Sequence, residues 1–303
     1  MRPLYGFWLS VLTAALWGML PVAMLLLLGK VDAITVTWVR FLFSAICVGV
    51  FLHRKRQLPN LGMLDGSRRV MLAVAVLALL GNFILYLIGL DYLNPEATAV
   101  LIQLAPILLL LGSVYFNDEH LTVTEWAGAF VLFVGLLLFF NQRLWHLFGA
   151  LGNDTLGVLI MLAAAVSWSI YGLMQKRLLQ AMGSIQLTLM LYGAGALALA
   201  VFASPLVLLE MSAVQTAALL FGCLNMVFGY GAFTEALRVW QAAKVSAVIA
   251  LAPVFTIIAM KVAVWGWPDV FVSSELNVLA YVGALVVVAG SMLAALGKQR
   301  QSH

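Results

Sequence analysis

Apolar residues run through this chain in long stretches separated by short polar connections. Ten stretches approach the roughly 20 residues that a membrane-spanning helix needs. They cover 4–28, 33–52, 70–90, 97–116, 123–140, 155–174, 184–203, 213–233, 243–265 and 277–296. A membrane barrel would instead show segments of about 10 residues alternating between apolar and polar. The pattern therefore predicts an all-α membrane protein of ten transmembrane helices, with no soluble domain between them.

The pattern is also written twice. TAVLIQLAP (98–106) returns as VSAVIALAP (245–253), 147 residues on. TAALWGMLP (13–21) faces AAVSWSIYG (164–172), and VDAITVT (31–37) faces MGSIQLT (182–188), both at an offset of 151. GAFVLFVG (128–135) faces GALVVVAG (283–290) at 155. The halves divide as 1–150 and 151–303, with five helices in each. An odd number of crossings starts the second half on the opposite side from the first. The repeat is then inverted about an axis in the membrane plane, the usual build of a secondary transporter, with a binding site near the midplane.

Composition supplies the solvent. The chain is 64% hydrophobic and 9% charged, against roughly 25% charged in soluble domains, so lipid must cover it. With both termini inside, twelve Lys and Arg residues fall on inner segments and only Lys30 and Arg143 on outer loops. This is the positive-inside distribution. The basic run HRKR (53–56) anchors the cytoplasmic face, and the net charge of +4 is no argument for a nucleic-acid partner. Arg2 before an apolar run resembles a secretory leader, but the run is too long and recurs in the second half, so it reads as a retained first helix. Cys47 and Cys223, both in apolar spans, read as small buried hydrophobes.

With ALWG in the first span and LAP in the fourth and ninth, the doubled five-helix pattern resembles the EamA family of the drug/metabolite transporter superfamily. DEHLTVTEWAGAFVLFVG (118–135) resembles that family's acidic loop and Gly-punctuated fifth helix. GNFIL, FGYGA and VWQAAKVSA resemble an enterobacterial inner-membrane member of it. The resemblance covers essentially the whole chain. It implies a helical basket in the bacterial inner membrane, with helices 1–4 and 6–9 around a central cavity and helices 5 and 10 outside. It implies export or facilitated movement of small metabolites, amino acids among them, or of drugs, and it names no substrate.

Arg40 is the sharpest single residue. It lies about 10 Å inside the outer boundary at 1.5 Å per residue, and its repeat mate is Leu191. An intramembrane arginine is a functional-site hypothesis by default. Two readings stand: it attracts a substrate carboxylate, or it snorkels and ties down helix ends. Lys261, near an outer end, reads as snorkelling. All twelve Asp and Glu residues sit in loops or near helix ends, so the mid-span carboxylate common in proton-driven antiporters is missing.

Trp17 and Trp168 hold equivalent places in the first and sixth spans and are expected at the floor and ceiling of the cavity. Asn82, Tyr86 and Gln103, with Tyr171 and Tyr230, are expected to line it; Tyr192, Asn225 and Ser246 also lie within spans. Pro106 and Pro253 are repeat mates, each expected to kink the middle of its helix. Pro21, whose mate is Gly172, bends the first. The glycines at 128, 135, 283 and 290 read as close helix packing, within the chain or between copies.

The sequence offers no HExxH, no paired carboxylates in spans and no Ser–His set, and its histidines (His53, His120, His146 and His303) lie in loops or at the tail. No catalysis, metal or cofactor is expected. The partners are the bilayer and a small-molecule substrate. The alternative is a structural or sensor membrane protein of the same fold that moves nothing.

Overall fold

The computed structural model describes residues 3–59, 62, 64–117, 121–142, 152–240, 242–272, 274 and 276–297. His120, His146, His303, Arg143 and the terminal cations Arg2, Lys298 and Arg300 lie outside them. The described chain is helical, with twelve α-helices. The first six are α1 (Pro3–Leu25), α2 (Ala33–Arg54), α3 (Gly66–Tyr92), α4 (Pro95–Leu101), α5 (Leu104–Asn117) and α6 (Val123–Phe139). They are followed by α7 (Asn153–Leu178), α8 (Ser184–Leu199), α9 (Ala213–Val239), α10 (Ala242–Ile249), α11 (Ala252–Gly266) and α12 (Val278–Gly297). A 3-10 turn, Pro205–Glu210, precedes α9. Seven helical segments are long and apolar enough to cross a membrane, counting Lys244–Gly266 through its break, and three shorter apolar ones accompany them.

Several polar residues between the spans are helix caps. Asp32, Asp65 and Asn94 each accept the backbone N–H three residues on, at 2.9, 2.8 and 2.8 Å. Thr122 and Glu125 close a reciprocal capping box on α6, as Ser212 and Gln215 do on α9. Such side chains satisfy N–H groups that the first helical turn leaves open, and lipid offers those groups no partner.

The fourth and ninth spans are not continuous helices with a central kink. Each is broken into two. After Leu101, Gln103 N–H bonds only back to Val100 and Ala105 N–H to Ile102. After Ile249, Leu251 N–H bonds to Val248 and Val254 N–H to Leu251. Pro106 and Pro253 then stand in the first turn of α5 and α11. Proline has no N–H to give and its ring crowds the carbonyl four residues back, so it suits a helix start better than an interior. Pro21, in contrast, sits inside an unbroken α1.

The main helix pairings are α6 with α12, α3 with α7, α1 with α9 and α2 with α8. Each joins a helix before residue 151 to one after it. Exchanging every helix for its repeat mate turns α3–α7 into α9–α1 and returns the other two pairings unchanged. The α6–α12 contact rests on the four paired glycines. A Cβ on Gly128, Gly135, Gly283 or Gly290 would overlap backbone atoms of the opposite helix. Close approach of small residues gains van der Waals contact where lipid supplies no hydrophobic drive. The glycine pattern is thus used within the chain. The opposite face of α6 exposes Val123, Trp126, Phe130, Phe133 and Leu137, a helical stripe suited to lipid.

Candidate functional site

At the helix breaks, the two halves meet through one side chain. Because Val254 N–H turns to Leu251, the Ala250 carbonyl has no partner in its own helix. The Gln103 amide donates to it at 2.9 Å. Hydroxyls brace the same region from outside. Ser169 on α7 donates to Ala105 at 2.9 Å, and Thr256 on α11 donates to Gly18 of α1 at 2.8 Å. A freed carbonyl at membrane depth needs such a partner.

Arg40 lies on α2 with 4% of its surface exposed. Its Nε–H reaches the Gly222 carbonyl of α9 at 3.4 Å, and its guanidinium carbon lies 5.0 Å from the centre of the Phe83 ring. Gly222 permits this approach: a Cβ there would meet Met24 Cε at 2.9 Å and Arg40 Cδ at 3.4 Å. The titratable groups in electrostatic reach of the cation are the phenols of Tyr86, Tyr192 and Tyr230 and the Cys223 thiol. Among the described residues no carboxylate pairs with it.

Aromatic rings extend from that point. Phe83 meets Phe41 edge-on at 5.0 Å, Phe41 meets Tyr192 at 5.2 Å, and Tyr192 meets Tyr230 at 6.5 Å. Tyr230 packs on Trp17 at 5.0 Å, with Phe233 at 5.6 Å on the same indole. The Trp17 indole N–H is buried and has no hydrogen-bond partner among the described residues. Tyr171 joins Tyr192, Phe41 and Phe83 in one buried core, with Trp168 and Tyr230 packed against it. Tyr86, Trp17, Trp168 and Tyr230 keep partial exposure although all lie deep along their helices.

Of the residues singled out in the sequence, Arg40, Tyr86, Tyr171, Tyr230 and Trp17 thus share one neighbourhood. Trp168 is near its edge, on Tyr171 at 6.5 Å. Gln103 belongs to the helix breaks. The Asn82 amide donates to the Ala164 carbonyl of α7 at 2.9 Å, and the Asn225 amide to the Leu16 carbonyl of α1. Each asparagine comes from the third span of its half and ties down the first span of the other. Tyr86 lies against Thr98 of α4. Ser246 is exposed on α10. Lys261 is exposed too and lies over the Tyr281 ring at 4.7 Å. The sequence reading passed over Phe41, Phe83, Gly222 and the nearness of Cys223 to Arg40. Phenylalanines are too frequent in these spans to stand out, whereas the small pair Gly222–Cys223 in an apolar run was a readable sign of close approach.

Among the described residues, an all-helical fold with lipid-suited outer faces and a buried polar and aromatic interior defines a multi-pass membrane protein. The EamA-like transporter family model matches it twice, over residues 4–141 and 155–296. The chain belongs to that family, and it is a multi-pass protein of the bacterial inner membrane. It is 41% identical over 293 residues to the uncharacterized inner membrane transporter YhbE of Escherichia coli (strain K12), covering 96% of this chain and 91% of that one. An uncharacterized transporter of Haemophilus influenzae is 35% identical over 302 residues, covering 100% and 98% of the two chains. A solved crystal structure aligns with a TM-score of 0.64 over 98% of both chains at 19% identity, a likeness of fold.

Proposed function

We propose that this protein is a secondary transporter that exports small organic molecules by alternating access. Its ten spans form two inverted five-helix repeats with both termini in the cytoplasm. The observation that carries this reading is an asymmetry between repeat mates. Every residue of α4 is buried, with α1, α7 and α11 packed around it. Its mate α10 has Lys244 and Ser246 exposed and leans on α1 and α12. Among the described residues the α4–α11 contact has no comparable α5–α10 counterpart.

In the proposed topology α4 lies at the outer face and α10 at the inner one. The arrangement then has a sealed outer end and a looser inner end, ready to load from the cytoplasm. Exchanging the conformations of the two halves would seal the inner end and open the outer. Because the two repeats are similar in sequence, the two forms are expected to be close in energy, as alternating access requires.

The test is counterflow in proteoliposomes against a panel of amino acids, organic acids, nucleosides and cationic dyes, with and without a pH gradient. Saturable flux of one class is expected. Absence of flux for every class, from protein shown to be folded, overturns transport and favours a structural or sensor role.

A further inference from the structure

Among the described residues the cation at Arg40 has no anion. Burying an unpaired charge costs several kcal/mol even after relaxation, and what the protein supplies against that cost is small. Gly222 offers one long hydrogen bond, and Phe83 offers only a ring face. A guanidinium has five N–H donors in a planar fork that matches a carboxylate. Among the described residues only the Nε–H donor has an acceptor. A structural arginine at this depth would be expected to lie against an acid or a cluster of carbonyls. This one faces three phenols and a thiol.

A second donor lies at the other end of the aromatic row. Trp17 Nε1 is buried without an acceptor among the described residues, held on Tyr230, and Tyr230 is itself within electrostatic reach of Arg40. The surface between the two donors is aromatic. Tyr192, Tyr230 and Trp17 form a continuous row of rings, and Tyr86 keeps partial exposure beside it. Among the described residues the site thus holds no carboxylate, while it offers positive charge, N–H donors, phenol hydroxyls and ring faces.

We propose that the substrate is an organic carboxylate with an aromatic or apolar body. Its carboxylate completes the ion pair with Arg40, its body lies on the Tyr192–Tyr230–Trp17 row, and the Trp17 N–H donates to a ligand oxygen. This deepens the transporter reading and rests on it. The anion pairs a charge that the described residues leave without a carboxylate, so affinity falls most for analogues that lack the charge but keep the shape.

The experiment is ligand-dependent thermal unfolding of the full chain in lipid nanodiscs, with phenylacetate, the isosteric amide phenylacetamide and the cation phenethylamine. Saturable stabilisation by phenylacetate is expected, at least about tenfold tighter than by the amide, which corresponds to about 1.4 kcal/mol. Phenethylamine should not stabilise. Arg40→Gln should bring the carboxylate and the amide to equal affinity. Arg40→Lys keeps the charge and should retain the preference, which separates recognition from folding. Trp17→Phe removes the N–H and should weaken 4-hydroxyphenylacetate, whose ring hydroxyl supplies the second oxygen, more than it weakens phenylacetate. Equal binding of carboxylate and amide to the unmodified protein, survival of the preference in Arg40→Gln, or no stabilisation by phenylacetate overturns the proposal. Binding is read here without transport, so discrimination that persists without flux would overturn the transporter reading alone.

Discussion

The Gln103 side chain donates a hydrogen bond to the backbone carbonyl of Ala250 at 2.9 Å, and Ala250 stands at Gln103's own position in the second repeat. The two helix breaks therefore touch at mates of each other, and the half that carries the amide satisfies the carbonyl freed in the half that lacks it. Gln103→Leu leaves that carbonyl without a partner, which costs about 1–3 kcal/mol. A lowered unfolding midpoint in detergent is expected. A midpoint equal to that of the unmodified protein would show that the bond adds no stability.

Asn82 and Asn225 make equivalent ties from opposite halves. Interhelical hydrogen bonds of this kind contribute about 0.6–1.7 kcal/mol in membranes. Asn82→Ala and Asn225→Ala should each destabilise by that order. As separate ties without shared partners, they should add within about 0.5 kcal/mol in the double variant. Strong non-additivity in the unfolding free energies would mean that the two ties report on one shared helix movement.

The α6–α12 contact leaves no room for a side chain. Gly290→Leu should separate the helices and sharply reduce the yield of folded protein, since its Cβ would strike the Leu132 backbone. Gly193→Ala, where a Cβ meets nothing within 4 Å, should be neutral, and fluorescence size-exclusion profiles compare the two directly. Similar profiles for both variants would remove the packing role of the glycine pairs.

Ala99 and Ser246 are repeat mates with opposite surroundings, one buried and the other exposed. In a background with both native cysteines replaced by alanine, Ser246→Cys should react with an impermeant maleimide added on the cytoplasmic side. Ala99→Cys should be protected from both sides. Conditions that favour the outward-open form should slow the first reaction and open the second to the periplasmic side. Independent responses of the two positions would count against reciprocal exchange.

Much of this was legible from the chain alone. Long apolar runs can persist only in lipid, and lipid admits helices that satisfy their own backbone, so the all-helical membrane fold followed from composition and run length. Repeats such as TAVLIQLAP and VSAVIALAP related the halves, and the paired glycines marked a close crossing. Arg40 stood out because a charge so deep in a span demands an explanation.

Tertiary structure alone decided the rest. Local sequence placed Pro106 and Pro253 in their spans, but whether a proline kinks a helix or divides it depends on which neighbour can satisfy the freed carbonyl, and Gln103 is 147 residues from Ala250. Asn82 and Tyr86 read alike as polar groups in one helix, yet Asn82 bonds α7 while Tyr86 lies against α4 at the edge of the Arg40 neighbourhood. The setting of Arg40 was equally hidden, because Gly222, Tyr192 and Tyr230 come from other helices. Sequence fixes what each helix can offer, and only packing determines which offers are met.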